Sequence, residues 1–291
     1  MTDKPPAVSP ERLEAHVRVL AGELSPRSVS HPANLDAAAS YVAARMAEGG
    51  AEVADQRYRA HGQSFRNVVA RLGPEEGERV VVGAHYDAAG PFPGADDNAS
   101  GVAGVIELAR VLSGAELARP VELVAYPCEE PPFFRTPFMG SMVHAAALRD
   151  EGVRVRAMIA LEMIGFFTDE PGSQSFPSPL LKPFYPSRGN FITVVGRIGQ
   201  GPLIRRVKRA MRRVSPLPVR SIQAPSAVPG VDFSDHASYW AAGYDAVMVT
   251  DTAFYRNPHY HTARDTPDTL DYRRMAMVVE GVRAAVLALA T

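Results

Sequence analysis

The chain carries a single cysteine, Cys128, among 291 residues, so no intrachain disulfide can staple it. It has no apolar stretch near the roughly 20 residues that a membrane-spanning helix needs. Residues 1–7 lack the apolar core of a secretory signal. There is also no long block of like charge. The 31 basic and 32 acidic residues leave a formal net charge of −1, which makes no electrostatic case for a nucleic-acid or membrane partner. Internal repeats, low-complexity segments and a dividing linker are all missing. These absences lead us to expect a soluble, cytoplasmic protein, provided no leader precedes it, folded as one domain over residues 1–291. A reducing compartment is compatible with the lone thiol but not demanded by it. The length is ample for a buried core.

What is present alternates between two periodicities. Ser9, Pro10 and Glu11 open a helix with a cap, a first-position proline and an acid in the first turn. Leu13, Val17, Leu20 and Leu24 give its stripe. A second helix fits 34–48, stopped by Gly49 and Gly50. Short strand-like runs follow at 51–58 and 67–72, then a valine-rich strand at 80–84. Further strands fit 121–126, 156–161, 191–195 and 244–250. Helical spacing recurs after Gly101, at 142–149, at 202–214 and in a closing helix with Met275, Val278, Val279, Val282, Val286 and Leu289 on one face. Strands alternating with helices imply an α/β fold, a three-layer α/β/α sandwich around a mixed, mostly parallel sheet.

Two stretches escape that alternation, and one helix carries an unusual charge. Residues 165–189 hold five prolines among Phe166, Phe167, Phe176, Phe184 and Tyr185, and cannot form a regular element. Their aromatic content argues against disorder. Residues 223–230 read as a loop. The helix at 202–214 carries Arg205, Arg206, Lys208, Arg209, Arg212 and Arg213; a solvated helix surface is preferred to a nucleic-acid face.

The informative stretch runs from Val80 to Gly101. A buried strand ends on His85, Asp87 follows, and Pro91, Pro93 and Gly94 turn the chain into Asp96, Asp97 and Ser100. A His at a strand end and an Asp at the next helix start converge where α/β sheets hold ligands, and the pair suits zinc or a similar metal. The alternative is a helix cap with solvated carboxylates. Later strands weigh against that alternative. Glu129 and Glu130 follow 121–126, Glu162 follows 156–161, and His261 lies just beyond 244–250. Charged groups rarely end buried strands unless paired or ligated.

Five ordered motifs carry a resemblance: His85-Tyr86-Asp87, the run from Gly94 through Asp97 to Gly101, Glu129-Glu130, Leu161-Glu162-Met163-Ile164-Gly165, and Tyr260-His261-Thr262. Across nearly the whole chain they resemble the co-catalytic zinc exopeptidases of metallopeptidase family twenty-eight, with their phosphorylase/hydrolase-like zinc-peptidase fold. That family includes bacterial aminopeptidases and, more distantly, glutamate carboxypeptidase and glutaminyl cyclase. The resemblance implies a metallopeptidase with two zinc ions and a peptide substrate. It implies that His85 is a terminal ligand, Asp97 the bridging carboxylate, Glu130 a ligand to one metal, Glu162 to the other, and that His261 completes the set. Glu129 matches the general base and Asp87 the carboxylate that fixes the His85 ring. Adjacent glutamates can take different roles only if the chain leaves strand geometry there, and Pro127 and Pro131 flank the pair. Tyr260 is a second donor to the oxyanion or a packing residue.

The departures are informative. The family usually has Asp where Glu162 stands. Residues 131–138 replace a short Gly-containing turn, and with 165–189 they are expected to wall the substrate pocket. Ser234, Asp235 and His236 have family counterparts, open between supporting the site and capping a helix. His259 reads as a bystander. The leading expectation is an aminopeptidase. A one-zinc cyclase-like acyltransferase is the alternative, and a carboxypeptidase or dipeptidase is open if Arg135 or Arg188 binds a substrate carboxylate. A non-catalytic binding protein is disfavoured because no ligand or base is missing. Asp97 is expected to be among the least replaceable residues, and Asp96 beside it to tolerate change.

Overall fold

In a computed structural model, residues 7–291 are described; residues 1–6, most of the stretch read above for a signal, lie outside them. Ser9 caps α1 (Pro10–Arg18) by accepting from the Arg12 amide at 3.2 Å, and the helix runs into a π-helical turn, Val19–Glu23. Helix α2 (Pro32–Glu48) buries Leu35, Val42 and Met46.

Strands β1 (Glu52–Ala60) and β2 (Gln63–Leu72) form a hairpin longer than the sequence suggests. Its tip, around Arg59, Gln63 and Ser64, pairs through the backbone with little apolar patterning, so periodicity misses it. Strands β3 (Arg79–His85), β4 (Val121–Tyr126), β5 (Val155–Glu162) and β8 (Ala246–Thr250) lie parallel and side by side. Both faces of these strands are buried, which explains their unbroken apolar runs. Beyond β8, strand β6 (Ile192–Arg197) runs antiparallel to it, and β7 (Val219–Ala224) follows parallel to β6. The sheet order is β1-β2-β4-β3-β5-β8-β6-β7. Strand β7 reaches into the segment read as a loop. It is an edge strand with Arg220 and Gln223 in solvent, so it lacks a buried-strand signature.

Helices α1, α2, α3 (Gly101–Leu112), α5 (Gly201–Val214) and α7 (Tyr272–Ala290) share one core with one face of the sheet. Helices α4 (Gly140–Asp150) and α6 (His236–Ala241) pack on the other. The result is the expected three-layer α/β/α sandwich with a mixed sheet. The carboxyl ends of β3, β4, β5 and β8 open on one edge, and the loops there carry the ligand-type side chains. No helix among the described residues is long and apolar enough to cross a membrane.

Arg27 holds that edge from below, and no pattern in the sequence announces it. Its guanidinium is fully buried and faces carbonyls, with no carboxylate in contact. It donates to Tyr86 O at 2.9 Å, Pro93 O at 2.8 Å and Gly94 O at 2.9 Å, and to Leu20 O. Burial pushes its pKa down to about 10, so it remains a cation at neutral pH. The fork ties the turn after α1 to the loop joining β3 to α3. Replacing it by Met strands these carbonyls without donors. We expect Arg27→Met to lower the urea midpoint by the equivalent of about 3 kcal/mol at unchanged m-value; an unchanged midpoint would contradict the assigned role.

Candidate metal centre

His85 is the last residue of β3 and Glu162 the last of β5. Because these strands are parallel neighbours, both side chains reach the same edge, with His85 Nε2 3.3 Å from Glu162 Oε2. Asp97 arrives from an irregular turn, Ala95–Ser100, entered through Gly94 at φ 59°. Its Oδ1 lies 3.4 Å from His85 Nε2 and its Oδ2 3.0 Å from His261 Nε2. Glu130 Oε1 is 3.2 Å from His261 Nε2. The six side chains singled out as ligands and base therefore converge, and all but His261 are buried.

The convergence has a defined shape. His85, Asp97 and Glu162 form one group and Asp97, Glu130 and His261 another; within each, ligand atoms lie within 4.8 Å of one another. Asp97 belongs to both. Glu129 stands outside both groups, with Oε2 3.9 Å from His85 Nε2. Left-handed backbone recurs at these positions: Cys128 at φ 63°, Met163 at φ 48° and His261 at φ 54°. Non-glycine residues adopt that region only where surrounding structure enforces it, and functional sites are where this happens. At Cys128 it breaks strand alternation, so Glu129 and Glu130 can be buried together. Burial and nearby Asp87 keep the Cys128 thiol protonated.

Asp87 does more than expected. Its Oδ1 is 3.5 Å from His85 Nδ1, which also faces the Asp87 carbonyl at 3.2 Å. The same carboxylate accepts from the amides of Glu129 at 3.2 Å and Glu130 at 3.0 Å. One side chain thus orients the histidine and pins the glutamate pair. Ser234 donates to Glu162 Oε2 at 2.7 Å and makes no helix cap; Asp235 makes none either. Asn98, which the sequence did not single out, spans Leu161 O, Met163 N and Gly101 N.

Asp96 corrects our expectation of tolerance. It is fully buried and accepts from Gly165 N at 2.9 Å and Asn257 Nδ2 at 2.8 Å. Asp265 receives the amides of both Asp96 and Asp97. Burial, then the neighbouring Asp251, keeps the Asp96 carboxyl well above the usual range. Substituting Asp96 would unsettle the turn that presents Asp97.

Around the ligand-type groups, burial opposes charge and the partners oppose burial. Burial alone would deprotonate both histidines. Glu162 and Glu129 instead hold His85 well above its ordinary pKa, and Asp97 and Glu130 hold His261 up to about 10. Despite burial, the two histidines keep Asp97 ionised far below the ordinary range. Burial, then Asp97, raises Glu130 to about 7. Burial raises Glu129 well above the carboxylate range, against the pull of His85. This donor set fits zinc. Two imidazoles and three carboxylates fall into two groups around a shared carboxylate, and Glu130 Oε1 and His261 Nε2 stay without hydrogen-bond partners at close range.

Tyr260 stacks on the His261 ring, with centroids 3.8 Å apart and planes at 16°. Burial and the surrounding carboxylates keep its phenol protonated. His259 packs edge-on against Phe166 and joins neither group. Glu162 and Tyr260 border a narrow, mostly apolar cavity of about 100 Å³, partly open to solvent. Residues 174–177, Leu181 and Tyr185 wall it, as expected of 165–189. The 131–138 insert does not line it. Phe133 and Phe138 pack on His61, and Arg135 pairs with Asp232 at 2.6 Å while stacking on Phe134 and Phe233. Arg188 is exposed and away from the cavity lining.

Comparisons with known proteins agree with one another. The family model described as Peptidase family M28 matches residues 67–286. The Escherichia coli K12 protein YfbL, described as uncharacterized, is 48% identical over 286 residues, 96% of this chain and 88% of that one. A probable leucine aminopeptidase of Trichophyton verrucosum is 28% identical over 223 residues, 72% of this chain; the match spans 53% of that longer protein. The zinc aminopeptidase BSAP of Bacillus subtilis superposes with a TM-score of 0.77 at 16% identity, covering 97% and 95% of the two chains. A glutaminyl cyclase of Fimbriiglobus ruber superposes at 0.75 and 20% identity, covering 98% and 97%. At such identities these two structures speak to the fold alone.

Two outcomes follow from the geometry. Ser234→Ala frees the Glu162 side chain from its donor, so zinc affinity should fall about tenfold or more in chelator competition. Zinc needs neutral imidazole, and both ring pKa values are raised in the metal-free chain. Protons must therefore leave as metal enters. Affinity should weaken by at least about tenfold per unit as pH falls from 8 to 6; affinity independent of pH in zinc-buffered titrations would contradict the assignment.

Proposed function

The chain belongs to peptidase family M28, and on that premise we propose that it is an aminopeptidase using two zinc ions to remove amino-terminal residues from peptides. The observation that carries this reading is Asp97, common to two groups of ligand-type side chains, with a buried glutamate beside them but in neither. On this reading His85 and Glu162 would hold one ion, Glu130 and His261 the other, and Asp97 would serve both.

Zinc held there would lower the pKa of a water and polarise the scissile carbonyl. The rest falls to the chain. Burial raises the Glu129 pKa in the metal-free chain; the positive charge of bound zinc would offset that burial and leave Glu129 ionised, to take a proton from the attacking water and deliver it to the leaving amine. Asp87 fixes the His85 ring and, through the two amides, the position of Glu129. The Tyr260 phenol, kept protonated, donates to the developing oxyanion. The apolar cavity takes the side chain of the first residue, and the carboxylates at its mouth receive the free α-amine. The described residues act as one catalytic domain.

Two alternatives are disfavoured by specific features. A carboxypeptidase needs a cation for the substrate carboxylate; no Arg or Lys lines the cavity, and Arg135 is engaged by Asp232. A one-zinc acyltransferase would leave one of the two groups without a role.

Elemental analysis and hydrolysis of amino acid amides test the reading. We expect two zinc ions per chain and turnover of amides with large apolar side chains. Glu129→Gln should lower kcat by about 10²- to 10⁴-fold while metal content and thermal stability hold. Full metal occupancy without amide hydrolysis, or an active Glu129→Gln variant, would sink it.

A further inference from the structure

Strand register sets up a row across the cavity floor. Glu162 of β5 lies opposite Thr250 of β8, and Thr250 lies opposite Thr193 of β6. Directly opposed residues share a face, and neighbouring strands are about 4.8 Å apart, so Thr193 stands about 10 Å along the row from Glu162. Both threonines border the cavity that Glu162 and Tyr260 also line.

The cavity's other polar side chains away from the metal edge are engaged. Gln174 donates to Thr252 Oγ1 and accepts from Arg256, and Ser175 donates to Tyr255 O. Tyr185 donates to Ser221 O, Tyr255 to Pro229 O, and Thr250 Oγ1 accepts from Thr252 N. Thr193 differs. It is 3% exposed, and its hydroxyl oxygen has no partner among the described residues. A buried hydroxyl without a protein partner calls for a reason. A substrate side chain that fills the cavity on an apolar body and ends in a polar group supplies that partner.

Building on the aminopeptidase reading, we propose that Thr193 is a specificity-determining residue that hydrogen-bonds the para-hydroxyl of an amino-terminal tyrosine. Short polar side chains do not span the row, and aliphatic ones bring no hydrogen-bonding group. Charged tips would be desolvated without a counter-charge among Val195, Ile222 and Met248. A flat ring suits a narrow cavity bordered by Phe191 and Phe254, and its hydroxyl extends toward Thr193. A site built around a substrate hydroxyl discriminates against the analogue lacking it far more than an apolar pocket discriminates by size.

The test is kcat/KM for tyrosine amide against phenylalanine amide in the zinc-loaded wild type, Thr193→Val and Thr193→Ser, with leucine amide alongside. We expect the wild type to favour tyrosine at least tenfold, Thr193→Val to reduce that ratio about tenfold, and Thr193→Ser to keep it. A wild-type ratio near one, or a ratio unmoved in Thr193→Val, overturns the proposal. If the wild type hydrolyses none of the three amides, the aminopeptidase reading falls, and binding of 4-methylphenol against toluene by calorimetry reads the cavity directly. Preference for the phenol that Thr193→Val abolishes supports the hydroxyl's role; equal binding removes it.

Discussion

Four carboxylates, Asp97, Glu129, Glu130 and Glu162, are gathered at one dry edge of the sheet, where their mutual repulsion is screened least. Holding like charges there is the constraint to which the surrounding structure answers. In the metal-free chain the answer is partly electrostatic: His85 and His261 stay protonated and keep Asp97 ionised, while burial pushes protons onto the glutamates. Zinc would supply more positive charge in the same place. An edge with these pKa shifts exchanges protons for metal with little rearrangement of its carboxylates.

The remainder of the answer is mechanical. Arg27 grips the carbonyls below the loop after β3, and Asp265 grips the amides of Asp96 and Asp97. Asp87 holds the Glu129–Glu130 amides, and Asn98 ties the turn to the end of β5. Asp96 reaches both Gly165, at the start of the cavity wall, and Asn257, on the loop carrying His261. Asp251 accepts from Phe166 N and Ala253 N, joining the same two loops. The ligand-type side chains sit at loop ends, yet their backbone is fixed by buried side chains from elsewhere in the sequence. That is how loops deliver geometry usually associated with regular elements.

The sequence shows the ligand-type residues because each ends an apolar strand or opens a helix, and a charge in that position breaks a visible pattern. It shows the layered fold for the same reason: the central strands are buried on both faces. It hides what lacks such contrast. Arg27 lies in a connection with no periodicity, and Asn98 and Asp265 are polar residues among polar residues. Asp96 reads as a solvated neighbour of Asp97 because adjacency carries no information about burial. Strand β7 escapes notice because an edge strand alternates weakly, and the 131–138 insert misleads because aromatic content identifies a packed loop without saying what it packs against. Phe133 and Phe138 meet the β1–β2 hairpin, and Phe134 packs behind Phe233 without lining the cavity itself.

The antiparallel turn of β6 matters most for how the site relates to its cavity. With β3, β4, β5 and β8 parallel, an all-parallel sheet would bring another strand's carboxyl end, and another loop, to the metal edge. Because β6 runs the other way, its amino end lies beside the carboxyl end of β8, and Thr193 falls into register with Thr250 and Glu162. The floor of the cavity is thus regular sheet continuous with the strand that ends in a ligand-type residue. A one-residue slip of β6 would turn Thr193 and Val195 into the opposite core and bring Ile192 and Val194 to the cavity. The spacing between the ligand-type edge and the cavity floor is set by backbone hydrogen bonds, the least adjustable part of the molecule, while the wall formed by residues between 174 and 185 is loop. On the proposed aminopeptidase reading, selectivity for the length of a side chain would belong to the sheet, and selectivity for its shape to the loop.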